Sequence, residues 1–459
     1  MACSSPPQTW QAGQAAGLFL VACGAKTGLE PGDQESATAG EAGASAYACP
    51  FGFAECEAGG ERCETEIAAS NENCGACGHG CPAGSVCAAS SCRLPDEVVQ
   101  LSAGRFHVCA RRAGGDVLCW GQNDMGQLGR GFVSPFEAAP ASVDDVSDVV
   151  QLASGISTTC ARLRDGGVAC WGDGQHYLMD SRQEASHATR VKWLPVRHLA
   201  ALALSMQSYA LGLTREGELW GWGNNERQNL VDDPTDDVRS PTLLPVRDVV
   251  AVAANHAKCA IRASGRLECW GSNDFGEVAN FKVLETAKTP VDVSEVRDAL
   301  TIRSGWTMAA ADASGTAYGW GCWPATCSWG TTTEAVAVPG ATDVVMWKSG
   351  PLHSCALRKG GRVRCFGQSS GLWGQDLHVD GLLGTGNFPE RGNGLVHYDE
   401  SRDVIGISDA IDLDISSVST CVIRAGGRVS CWGDNSYGQL GNGTTDTSRS
   451  PVDVLGVAP

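Results

Sequence analysis

A phrase of thirteen residues, CARRAGGDVLCWG at 109–121, recurs six more times, and a chain made of so many near-copies folds as an array of like units. It returns as CARLRDGGVACWG from Cys160, CAIRASGRLECWG from Cys259, CALRKGGRVRCFG from Cys355 and CVIRAGGRVSCWG from Cys421. LGLTREGELWGWG from Leu211 and AAADASGTAYGWG from Ala309 keep the pattern without either cysteine. Every copy has Gly at its seventh and thirteenth positions and an aromatic at its twelfth, Trp in six copies and Phe366 in the other. Starts lie 46 to 51 residues apart, except for a 66-residue step before the last copy, where QSSGLWGQDLHVDG reads as a loop insertion.

Each copy opens on a β-branched run such as EVVQLSAG or DVVAVAAN, passes through the phrase into a polar loop, and reaches a strand of Pro-Val type such as LPVRDV or TPVDVSEV. Short β-rich runs between Gly, Asn and Asp turns, without a 3.6-residue apolar period, indicate an all-β chain. Seven units of about 50 residues with four strands each predict a seven-bladed β-propeller over residues 94–459. The first copy has no Pro-Val strand before it and the last has no strand after SPVDVLGV, so the expected seam completes a terminal blade from the other end of the chain, leaving no open edge.

Two cysteines ten apart, with a Gly turn between them, face each other across a tight hairpin, where paired Cα atoms are about 4.5 Å apart and a disulfide can form. Five copies hold both cysteines and two hold neither, the pattern of a bonded pair. The expected bridges are Cys109–Cys119, Cys160–Cys170, Cys259–Cys269, Cys355–Cys365 and Cys421–Cys431, with Cys322 and Cys327 paired within the loop CWPATC. The Trp beside each second cysteine points to the opposite strand face and is expected to fill the wedge between blades. His107, His353 and His256 recur too regularly for a unique catalytic role and read as structural hydrogen-bonding groups.

Ahead of the repeats, residues 48–93 carry eight cysteines among Pro and Gly with few large aliphatics, a block that cross-links must hold. Eight cysteines allow 105 connectivities, and the spacing selects none. Cys74, Cys77, Cys81 and His79 offer the alternative of a metal knuckle, less expected in an exported chain, and no metal or other cofactor is assigned. Twenty-two cysteines in 459 residues point to an oxidising compartment. At the N-terminus the apolar run ending LVAC resembles a bacterial lipoprotein signal, although no Lys or Arg precedes it and Gly17 interrupts it. The reading is a signal peptide over 1–22, lipidation at Cys23 and a small-residue linker over 23–47, in an exported bacterial protein of the outer membrane, cell surface or medium. The membrane is reached only through that lipid. A net charge of −18 disfavours nucleic acid as a partner.

The starts of AGRFHVCA type, the Gly turn and then CWGQNDMGQLG at 119–129 and CWGDNSYGQLG at 431–441 resemble the repeats of the regulator-of-chromosome-condensation family across about residues 96–459. GEVA at 276–279 and GLLG at 381–384 are degenerate copies of GQLG. The resemblance implies a seven-bladed propeller. It would also imply nucleotide exchange on a nuclear GTPase, but the acidic balance, the missing basic tail and the disulfides speak against carrying that activity over. Bacterial relatives of the family include secreted protein-binding propellers, among them an inhibitor of β-lactamases, but a fold does not fix what its surface binds.

No nucleophile elbow, P-loop, zincin helix or calcium loop is present, so no catalytic residue is assigned and the chain is read as a non-enzyme. The expected function is a monomeric, exported propeller that binds a protein or a cell-envelope component. The alternative is an extracellular polysaccharide-acting enzyme with its site in the channel. Converging carboxylates or a histidine cluster in the channel would mark the enzyme, and an exposed apolar patch the binder. Trp323 and Trp329 in the fifth copy, with Trp373 and His378 in the sixth, form the candidate binding loops.

Overall fold

The computed structural model describes residues 49–459 apart from 51–52, 55, 57–64, 175–177, 179–187, 195–197, 226–229, 231–236, 275, 281–285, 305–307, 322–333, 338–342, 369–380, 387–396 and 458–459. The signal peptide, Cys23, the linker, the Cys322–Cys327 pair and the candidate loop residues Trp323, Trp329, Trp373 and His378 therefore lie outside the described residues.

Seven four-stranded antiparallel sheets follow one another along the chain, spanning 98–142, 149–194, 199–243, 249–292, 299–337, 344–403 and 410–453. Numbered blades 1 to 7, each runs from an inner first strand to an outer fourth. In blade 1 these are Val98–Ala103, His107–Arg112, Val117–Asn123 and Ser134–Ser142. First strands neighbour one another around the ring, and that of blade 7 meets that of blade 1. The outer strands carry Pro135, Pro140, Pro241, Pro290 and Pro451, at an edge where a missing N–H is tolerated.

Closure differs from the expected seam. Each blade is filled by four consecutive strands of its own repeat, and among the described residues no strand passes from one end of the chain into the other end's blade. The Pro-Val strand is the outer strand of the blade whose phrase precedes it, so neither terminal repeat lacks one. Side chains and turns close the ring instead. Asp412 and Asp414 in the first strand of blade 7 accept the Leu101 and Ala103 amides of blade 1 at 3.2 and 2.9 Å. The Gly443 amide donates to the Ala138 carbonyl at 3.0 Å. Elsewhere glutamines make the same kind of bridge: Gln100 holds both the N–H and the C=O of Leu152, and Gln151 those of Leu202.

Inside the blades the second and third strands pair Cys109 with Cys119, Cys160 with Cys170, Cys259 with Cys269, Cys355 with Cys365 and Cys421 with Cys431. Each pair is a disulfide with Cα atoms 4.1 Å apart. In blades 3 and 5 the same register opposes Leu211 to Gly221 and Ala309 to Gly319.

Residues 49–93 form a small module with two short hairpins, Phe53–Ala54 with Thr65–Glu66 and Val86–Ala88 with Ser91–Arg93. Disulfides join Cys56 to Cys77, Cys74 to Cys87 and Cys81 to Cys92, and Cys49 is also bonded. The thiols of the possible metal knuckle are consumed in these bridges. The sulfurs of Cys74, Cys81 and Cys92 lie within 4.8 Å of one another because two bridges pack side by side. The ring nitrogen Nδ1 of His79 is 2.6 Å from the Cys74 carbonyl.

Candidate functional site

The ring has two unlike ends. At one end lie the tight turns between second and third strands, here called the turn face. The opposite end, the loop face, carries the turns between first and second strands and the longer loops between third and fourth. The module sits on the turn face. Glu66 forms an ion pair with Arg162 at 2.7 Å, with both side chains less than a tenth exposed. Arg164 donates to the Ala69 carbonyl, and the Arg215 guanidinium lies 5.1 Å from the centre of the Phe53 ring. Phe53 packs with Ala200 and Cys49 in a cluster of its own.

The module also walls the central cavity. A cavity of about 470 Å³ is lined by the first strands together with Glu66, Ala69, Ala88 and Arg93 of the module, and it extends to the turns holding Met206 and Asn255 at the other end. The channel does bring two carboxylates together, Asp412 and Asp414. Burial raises Asp412 to about 6, with Lys348 opposing and Asp414 adding to the effect. Both are engaged, however. Asp412 accepts the Leu101 and Leu413 amides, and Asp414 accepts those of Ala103 and Ile415 while its Oδ1 lies 3.0 Å from the Lys348 ammonium. Their arrangement is that of the seam bridge.

The histidines hold neighbouring blades together. His107 Nε2 meets the Thr159 hydroxyl at 2.9 Å and His353 Nε2 meets that of Thr420 at 2.6 Å. Burial lowers them to about 4 and about 3. Between blades 3 and 4, Tyr209 and Lys258 take these two places. The tyrosine hydroxyl donates to the Asn255 carbonyl at 2.6 Å, and the Lys258 ammonium lies 5.8 Å from the Tyr209 ring and 5.4 Å from Trp270.

The loop face is built on a repeated scaffold. Asn123, Asn225, Asn273 and Asn435 each accept, through Oδ1, the amide five residues on: Leu128, Leu230, Val278 and Leu440. The loop so shaped receives the next blade's tryptophan. Trp120, Trp222, Trp320 and Trp432 donate their indole N–H to the carbonyls of Gln439, Leu178, Glu277 and Leu382. This gives the GQLG phrase its purpose. Its last glycine lies against the indole, and a Cβ on Gly129, Gly384 or Gly441 would fall 2.7 to 2.9 Å from Trp171, Trp432 or Trp120.

At the seam of blades 1 and 7 the loop face exposes aromatic surface. Phe106 lies 5.0 Å from Tyr437 between ring centres, with the Arg105 guanidinium 4.9 Å over Phe106. Gln122 donates to the Phe106 carbonyl at 2.9 Å and pairs with Phe136 in the outer strand. Phe132, Val133 and Phe136 are 46, 50 and 39% exposed, a patch of the kind that marks interaction sites. Nothing in the repeat pattern signals these residues, which stand in a turn, a loop and an outer strand; the candidate loop residues Trp323, Trp329, Trp373 and His378 lie outside the described residues.

Fold and site together define a seven-bladed β-propeller, five of whose blades are stapled by their own disulfide, capped at one channel mouth by a disulfide-rich module. Family models described as "Regulator of chromosome condensation (RCC1) repeat" match residues 98–127, 149–177 and 412–439, and a second of the same description matches 114–162 and 426–458. Residues 98–177 and 412–458 thus carry RCC1 repeats. The 114–162 match runs from the hairpin of blade 1 into the second strand of blade 2, so the family's repeat unit is offset from the structural blade. Among similar proteins, human regulator of chromosome condensation is 32% identical over 144 residues, 30% of this chain and 33% of that protein. The ultraviolet-B receptor UVR8 of Arabidopsis thaliana is 28% identical over 196 residues, 40% of this chain and 43% of that one. The chain spans about half or less of the length of these curated relatives. The crystal structure of human WBSCR16 superposes with a TM-score of 0.62 over 74% of this chain and 94% of that one, at 16% identity, a likeness of fold.

Proposed function

We propose that this propeller is an exported protein-binding module that docks its partner on the loop face. The observation that carries the reading is the position of the cysteine-rich module. It occupies the turn face and one channel mouth, while the opposite face presents Arg105 over the half-buried Phe106 beside Tyr437, and the loop and outer strand of blade 1 expose Phe132 and Phe136. Aromatic and arginine side chains are the usual anchors of protein interfaces. The two carboxylates of the channel are held by blade 1 amides and Lys348, which favours binding over catalysis. Export is supported by the eight disulfides among the described residues, a number rare in a reducing compartment, and a lipid on Cys23 is the proposed anchor. A similar yeast protein is named a guanine nucleotide exchange factor, 25% identical over 222 residues. Exchange is disfavoured here by the same disulfides and by the net charge of −18.

A photo-crosslinking amino acid at Phe106 or Phe136, compared with one at Arg164, tests the docking face in the producing cell. The reading predicts a discrete crosslinked protein from the first two positions and none from the third, and the reverse pattern would overturn it. Labelling with radioactive palmitate that disappears in Cys23→Ser tests the anchor. Equal labelling of both would remove it.

A further inference from the structure

The third and fifth residues of each first strand divide the channel wall into two unlike halves. In blades 3 and 4 these are Ala201, Ala203, Ala251 and Ala253, an apolar wall of small side chains. In blades 5 to 7 the wall carries Arg303, Met346, Lys348, Asp412 and Asp414. The cavity of about 470 Å³ falls within the roughly 300–1,000 Å³ usual for small-molecule sites. Its described lining has five cationic side chains (Arg93, Arg111, Arg162, Arg303 and Lys348) against three carboxylates (Glu66, Asp412 and Asp414), a positive excess inside a chain of net charge −18.

Most of these charges already have a partner. Arg162 pairs with Glu66, Arg93 with Glu97 and Lys348 with Asp414, and Asp412 is bound by two amides. Arg303 differs. Its hydrogen bond is from Nη1 to the adjacent Ile302 carbonyl at 3.1 Å, and no ion pair joins it to Asp412 or Asp414 among the described residues. Arg303 borders the cavity with Asp412 and Asp414 near enough to act on its charge, and one hydrogen bond leaves most of the donors of its planar fork unused. A guanidinium of this kind suits a carboxylate or sulfonate, which it can hold by two parallel bonds.

We propose that the capped channel binds a small organic anion, with its acid group on Arg303 and its apolar body against the alanine wall of blades 3 and 4. The module forms the floor of the site. Such a ligand sits inside the ring, so the site is independent of whether a protein docks on the loop face.

Fluorescence titration of the full oxidised chain with 8-anilinonaphthalene-1-sulfonate, and with its uncharged counterpart N-phenyl-1-naphthylamine, tests the proposal. The wild type is expected to bind the sulfonate saturably at one site. Arg303→Met should weaken the sulfonate at least tenfold and change the naphthylamine less than twofold, with Arg303→Lys recovering part of the loss. Ala203→Trp, which fills the apolar half and leaves Arg303 in place, should weaken both probes. Thermal unfolding of each variant shows that it remains folded. Absence of saturable wild-type binding, or sulfonate affinity unchanged in both Arg303→Met and Ala203→Trp, would overturn the proposal.

Discussion

Lys258 is a buried cation between blades 3 and 4. It is fully buried, its Nζ has no hydrogen-bond partner among the described residues, and burial lowers its pKa far below the usual lysine value. The unfolded chain therefore holds this proton more tightly than the folded chain, and stability rises with pH up to the unfolded lysine value near 10.4. Lys258→Met keeps the packing volume and removes the penalty. It should stabilise the fold by on the order of 2 kcal/mol at pH 7 and by clearly less at pH 10, measured by chemical unfolding. His107 and His353 act in a lower window. Held at about 4 and about 3 by burial, against 6.5 when unfolded, they contribute stability that is complete above pH 6.5 and is lost as pH falls toward 4. Asp412, raised to about 6, works in the opposite direction and regains stability over the same range. Two histidines outweigh one aspartate, so the melting temperature should fall between pH 6.5 and 4.5. His107→Gln and His353→Gln together should flatten that slope, as followed by calorimetry.

At the scale of the element, the stapled hairpin and the loop that receives the next tryptophan make the blade a transferable unit. The hairpins were legible because a period-ten pair of cysteines around a Gly turn has one low-strain arrangement, with Cys109 opposite Cys119 and Cys421 opposite Cys431. The purpose of GQLG was not legible. It depends on a contact between Gly441 and Trp120, 321 positions apart in the chain and joined only by ring closure, which no local period encodes. Gly441 has φ +65° and no room for a Cβ beside the indole. Gly441→Ala should destabilise the protein by roughly 1–3 kcal/mol and change the Trp120 fluorescence environment, whereas Gly406→Ala, with nothing near its Cβ position, should cost less despite a similar φ of +68°.

Over the whole molecule, seven repeats were enough to count the blades, because each repeat forms one sheet without borrowing a strand. The seam was misjudged because the Pro-Val strand reads equally well as the end of one repeat or the start of the next. The channel site and the exposed patch were not legible: Arg303, Lys348, Asp412 and Phe106 stand in ordinary strand and turn positions, and only the ring brings them to a common cavity or face. The docking of the module was likewise hidden, since it rests on Glu66 meeting Arg162, 96 residues away. That contact allows the most direct test of a capped channel, a double-mutant cycle of Glu66→Gln and Arg162→Met read by chemical unfolding. A docked module predicts a coupling above about 1 kcal/mol, as expected for a buried, hydrogen-bonded pair. Strictly additive effects of the two substitutions would contradict it.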